Sequence, residues 1–146
     1  MRDRVRVIAV ALSAAAGLLP ETAYAIDGDP ARGKRVFAAC ILCHSAAPAA
    51  HKEGPSLASI WGQKAGTVGG FGKYSAALKS SDVVWTAETL DRWLQGPRAL
   101  IPGTTMIDIL IADPSDRRDL IAYLKDLGST TTGRGDPPKH AKEAPR

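Results

Sequence analysis

Two cysteines stand two residues apart, and a histidine follows at once: Cys40-Ile41-Leu42-Cys43-His44. This is the spacing that covalent attachment of a c-type haem requires. Early in a helix the two thiols would sit on roughly adjacent faces, so that each can add to one vinyl group of the same porphyrin. His44 would then project over the macrocycle and bind the iron as proximal ligand. The chain has two cysteines, and both are in this stretch. A bare C-x-x-C has other uses: a redox dithiol, a structural disulfide or half of a zinc site. A zinc site would want a second cysteine pair, and the other histidines are only His51 and His140. A redox dithiol would want a βαβ setting, whereas the flanks read as helical.

A second candidate ligand lies downstream. Met106 ends the extended Pro/Gly segment Ile101-Pro102-Gly103-Thr104-Thr105-Met106 and is the one methionine besides the initiator. A lone methionine is usually core filler. In a chain with C-x-x-C-H it is the natural sixth ligand of the iron. Gly54-Pro55-Ser56-Leu57 follows the motif, and a prolyl carbonyl there could accept the second ring N–H of His44 and fix its tautomer. His51 lies in the intervening loop and reads as a solvated histidine.

The elements that must position these residues read as helices and long loops. Asp29 and Pro30 are a helix cap and first turn. Gly33 and Phe37 share a face of that helix, and the glycine could permit a close helix crossing. Ser59–Gly72 is glycine-rich but lacks the order of a nucleotide loop, and reads as an Ω-type loop around a cofactor. Tyr74–Leu78 reads as a short helix. Thr86 starts another, with Leu90, Trp93 and Leu94 on its apolar face, and Gly96-Pro97 ends it. Asp113 and Pro114 open the last helix. Leu120, Ile121, Tyr123, Leu124 and Leu127 form its stripe, and Gly128 is the expected stop.

The 146 residues allow one domain, with both ends set apart. Residues 1–25 have the form of a secretory signal peptide: Arg2, Arg4 and Arg6, then the apolar run Val7–Leu19, then Ala23-Tyr24-Ala25. That run of 13 residues is shorter than the ~20 a membrane span needs, so a retained anchor is the weaker alternative. Ser129–Arg146 is polar and Pro/Gly-rich and reads as a disordered tail. The domain is expected over 26–128. Much of the +4 net charge sits in the two ends, so the basic balance is not a nucleic-acid signature.

In order, GDPARGKRVFAAC, CILCH, GPSL, Tyr74, Trp85, PGTTM and DLIAYLKDL resemble the motifs of class I cytochromes c of the mitochondrial-like bacterial branch. The likeness covers roughly Gly28–Leu127. It implies an all-α fold of three to five helices, the first and last crossing, with long loops wrapping one haem c. It implies that Cys40 and Cys43 hold the haem, that His44 and Met106 are axial ligands and that the Pro55 carbonyl orients His44. Tyr74 and Trp85 would hydrogen-bond a propionate, and Thr104 would sit near the haem edge. Several positions depart from the pattern. Gln63 stands where a basic residue usually pairs with a propionate, Trp93 for a tyrosine, Leu78 for an asparagine, and Asp108 where an aromatic is common. The basic docking ring is thin.

The resemblance implies a non-enzymatic one-electron carrier in the periplasm. It would be a monomer without membrane insertion, serving a quinol–cytochrome c oxidoreductase, a terminal oxidase or a periplasmic dehydrogenase. Two alternatives belong to other classes. One is a dedicated haem subunit of a dehydrogenase, or a peroxidase-like protein with a labile methionine. The other is a haem-free thiol module.

Overall fold

The computed structural model describes residues 28–106 and 109–132, with side chains to residue 130. The expected leader, Asp108, His140 and the tail past Thr132 lie outside the described residues. Five α-helices carry the fold: α1 Pro30–Val36, α2 Ala76–Ser80, α3 Ala87–Gln95, α4 Pro97–Leu100 and α5 Pro114–Thr132. Among the described residues there is no strand, only the isolated bridges Ser45–Ser56 and Lys64–Val84.

The crossing of α1 and α5 is the main helix–helix contact. The Asp29 carboxylate caps α1, accepting from the amides of Ala31 at 2.8 Å and Arg32 at 3.3 Å. Gly33 sits buried at the crossing, where a Cβ would overlap the Asp119 carbonyl and lie 2.8 Å from Tyr123 Cβ. One turn on, Phe37 meets Tyr123 at 5.4 Å between ring centroids. A polar clamp closes the same contact. Arg32 Nε donates to Asp119 Oδ2 at 2.7 Å, and the Asp29 amide donates to Asp119 Oδ1 at 2.7 Å. Asp119 is buried. The Arg32 hydrogen bond first, and then the Asp29 amide, hold its carboxyl below the usual carboxylate range.

α3 opens on a reciprocal cap between Thr86 and Thr89 and buries Leu90, Trp93 and Leu94, the face its periodicity predicts. A further helix, α4, follows at Pro97, where the sequence suggests only a stop. Proline at a first helical turn loses no hydrogen bond. The short helix after Tyr74 starts two residues later than expected, because the Ser75 hydroxyl caps it by accepting from the Leu78 amide at 3.2 Å.

α5 also differs at its end. It runs through Gly128 to Thr132, four residues into the stretch read as tail. Gly128 is a packing position, not a stop: a Cβ there would lie 3.2 Å from Trp61 Cβ. The start of α5 is fastened by Arg117, whose Nε donates to Asp91 Oδ1 at 2.6 Å. Its other end donates to the carbonyls of Ile111 at 2.9 Å and Ala112 at 2.8 Å. α3, α5 and the segment leading out of the Met106 loop are thereby joined at one side chain.

Candidate haem site

After α1 the chain tightens into a 3-10 turn over Phe37–Ala39, and the two cysteines follow in further turns. The amide of Cys40 donates to the Phe37 carbonyl at 2.8 Å, and that of His44 to the Cys40 carbonyl at 2.9 Å. The motif therefore closes a helix; it does not open one, as the spacing argument supposed. The outcome for the thiols is the same. Both line one cavity of about 330 Å³, while Ile41 and Leu42 between them face solvent, 50% and 83% exposed. The thiols are not joined to each other. Burial, and then the neighbouring Cys43, push the Cys40 thiol up.

His44 lines the same cavity, with Nδ1 2.7 Å from the Pro55 carbonyl oxygen. A carbonyl only accepts, so the proton is on Nδ1 and the lone pair on Nε2. Burial lowers the His44 pKa, and the bond to Pro55 opposes that shift; the neutral ring is the form that can bind a metal. The ring lies flat against Gly54, where a Cβ would lie 2.6 Å from Nδ1 and 2.9 Å from Nε2. Gly54 is thus part of the site. Its only signal in the sequence is a glycine before Pro55.

Met106 reaches the cavity from the loop after α4. Gly103 takes a left-handed conformation (φ 86°), turning the chain sharply. Thr104 is buried behind the wall, and its hydroxyl accepts from the Met106 amide at 3.3 Å. Thr105, not Thr104, lines the cavity.

Tyr74, Trp85, Leu78 and Trp93 line the same cavity. Trp85 and Trp93 pack edge to face with centroids 5.2 Å apart. Burial pushes the Tyr74 phenol up, and a backbone hydrogen bond with Val68 works against it. Gln63 is exposed and off the wall. Its backbone carbonyl instead accepts from the Trp85 amide at 2.9 Å, so the segment holding Gln63 positions Trp85 through the main chain.

His51 is no solvated loop residue. Its Nδ1 accepts from the Ser56 amide at 3.1 Å, which leaves Nε2 to donate to the Gly69 carbonyl at 3.0 Å. The ring also packs on Phe71, centroids 5.7 Å apart. It ties the loop after the cysteines to the glycine-rich loop across the cavity.

No cluster of three or more His, Cys, Asp or Glu side chains placed to hold a metal occurs among the described residues. The zinc reading of the cysteines thus has no ligand set there. The donors present fit a haem: two thiols, the His44 Nε2 with its lone pair, and a thioether, all on the wall of one mainly apolar cavity.

The comparisons agree. The cytochrome c family model matches residues 30–128. A cytochrome c2 of Rhodomicrobium vannielii is 40% identical over 121 residues, covering 82% of this chain and 95% of that protein. A cytochrome c2 of Blastochloris viridis is 41% identical over 113 residues, or 77% of this chain and 88% of the relative. The solved structure of cytochrome cH from Methylobacterium extorquens superposes with a TM-score of 0.63 at 40% identity, over 68% of this chain and 99% of that one. The chain belongs to the cytochrome c family. It is by class a haem c protein and an electron carrier, not an enzyme.

Proposed function

We propose that this chain shuttles single electrons in a periplasmic respiratory or dehydrogenase-linked chain. Cys40 and Cys43 would hold one haem c by thioether bonds, with His44 and Met106 as axial ligands. The arrangement that carries this reading is the convergence of those four side chains on one cavity, with His44 Nδ1 tied to Pro55 at 2.7 Å.

When bound, the haem supplies an iron that passes between ferric and ferrous states. The residues set its properties. The Pro55 carbonyl holds the His44 ring in the tautomer that presents Nε2 and raises its basicity. The Met106 thioether favours the ferrous state and raises the potential. The apolar wall of Leu90, Trp93, Leu94 and Leu120 acts in the same direction, because the ferric centre carries the extra charge. With His44 and Met106 both holding the iron, no position would be left for oxygen or substrate, as an outer-sphere carrier requires.

Partners would approach where Ile41 and Leu42 are exposed beside the thioether bonds, through a small transient interface. The donors and acceptors this fits are a quinol–cytochrome c oxidoreductase, a terminal oxidase or a periplasmic dehydrogenase. The leader-like residues 1–25 support export, and no helix among the described residues is long and apolar enough to cross a membrane.

The test is Met106→Ala in a host that attaches haem outside the cytoplasm. The variant keeps covalent haem but loses the low-spin His/Met spectrum with its weak far-red sulfur-to-iron band. An unchanged spectrum would assign the sixth ligand elsewhere. Wild-type protein with covalent haem but without that band would favour an open iron and enzymatic chemistry.

A further inference from the structure

The cavity wall carries charge at one place. Of the described residues that line it, Lys73 is the one cation and Glu53 the one carboxylate. The other titratable groups facing the cavity are Cys40, Cys43 and His44 from the motif side, and Tyr74 beside Lys73. α3 and α5 contribute only apolar side chains, among them Leu90, Trp93, Leu94, Leu120 and Leu124. Lys73 and Glu53 pair at 3.5 Å with both side chains largely exposed. An exposed pair at that distance holds its members weakly, so the ammonium can turn toward the cavity at little cost.

A haem has its two vinyl groups on one side of the ring and its two propionate carboxylates on the other. Thioether bonds to Cys40 and Cys43 would fix the vinyl side, leaving the propionates for lining residues outside the motif. Among those, the consecutive residues Lys73, Tyr74 and Ser75 carry an ammonium and two hydroxyls. The Trp85 indole N–H, on the lining of the same cavity, completes a donor set. Gln63, the residue that replaces the family's usual cation, is off the wall and uncharged.

We propose that Lys73 is the counter-charge of the haem propionates in this chain, exchanging Glu53 for a propionate and doing from the Tyr74 side what Gln63 cannot. Lys73 is a positioning and tuning residue, acting on the carboxylates and through them on the iron. The proposal rests on the haem reading above. Its physical content is a sign. A cation beside a carboxylate favours the ionised form and lowers its pKa. An ionised propionate stabilises ferric iron, so the midpoint potential falls as pH rises through that pKa. Lys73 therefore raises the potential directly and moves the falling limb to lower pH. Glu53 does the reverse.

The experiment is a spectroelectrochemical titration of the holoprotein across acid and neutral pH. It compares wild type with Lys73→Gln, Lys73→Met, Lys73→Arg and Glu53→Gln. Lys64→Gln is the control, since Lys64 pairs with Asp82 at 2.8 Å away from the wall. The two neutral Lys73 variants lower the potential and shift the falling limb to higher pH, and Lys73→Arg restores the wild-type profile. Glu53→Gln shifts both the opposite way, and Lys64→Gln leaves both in place. Neutral Lys73 variants with the profile of the Lys64 control would overturn the proposal while leaving the haem reading intact. Wild-type protein without a covalent haem band on a denaturing gel would overturn both.

Discussion

Replacing Gly54 by alanine tests the geometry at His44 with one methyl group. The added carbon would overlap Cε1 of the His44 ring and stand 2.6 Å from Nδ1 and 2.9 Å from Nε2. Ordinary contacts between such atoms begin near 3.5 Å, so the ring or the loop must yield by about 1 Å. The Nδ1–Pro55 hydrogen bond, at 2.7 Å, lies in the path of that movement and would stretch past the range of a good N–H···O bond. Overpacking costs about 1–3 kcal/mol, and an imidazole N–H left without its acceptor costs about 1–3 kcal/mol more. The sum, about 4 kcal/mol in mid-range, lowers the melting temperature of a domain of this size by on the order of 20 °C. The assay is thermal unfolding of the holoprotein by far-ultraviolet circular dichroism, with the midpoint potential measured alongside. The weaker bond to Pro55 leaves His44 a poorer donor, so the potential rises. A melting temperature close to wild type, with an unchanged potential, would refute the argument that Gly54 and Pro55 together fix the ring.

Two further outcomes follow from the crossing of α1 and α5. Gly33→Ala gains about 1 kcal/mol of helix propensity, but its Cβ would overlap the Asp119 carbonyl. A net loss of about 2 kcal/mol is expected in denaturant melts; a neutral or stabilising result would show that the helices separate without cost. Asp119→Asn removes a carboxylate whose folded pKa is depressed by Arg32 and the Asp29 amide. A depressed carboxylate contributes its stability above the unfolded pKa of about 3.9 and loses it as pH falls through the folded value. The variant is thus less stable than wild type near neutral pH, and the gap closes in acid. A gap that stays constant with pH would refute the ionic part of the clamp.

What could be read from the sequence was what is local in it. The Cys40–His44 spacing, the cap at Asp29, the faces of α3 and α5 and the Gly33–Phe37 contact each need only neighbouring residues and a helical period. The role of His51 depends on Gly69 and Phe71, which only the folded loops bring near, so no local pattern shows it. The ring that Gly54 admits is ten residues back, beyond any local period. Gly128 looked like a helix stop because glycine usually is one; Trp61 against its bare backbone gives it another use. Arg117, joining Asp91 to the carbonyls of Ile111 and Ala112, carried no periodic signal at all.

The contact of α1 with α5 also joins the two ends of the domain. Asp29 and Asp119, hydrogen-bonded to each other, are 90 residues apart in sequence. The entropic cost of closing a loop grows only slowly with its length, so one buried clamp can fasten a long stretch of chain. Between its two halves lie the Cys40–His44 turn, the glycine-rich loop and Met106, all lining one cavity. The clamp works as the clasp of a ring: what is strung between its halves stays within reach of the same space.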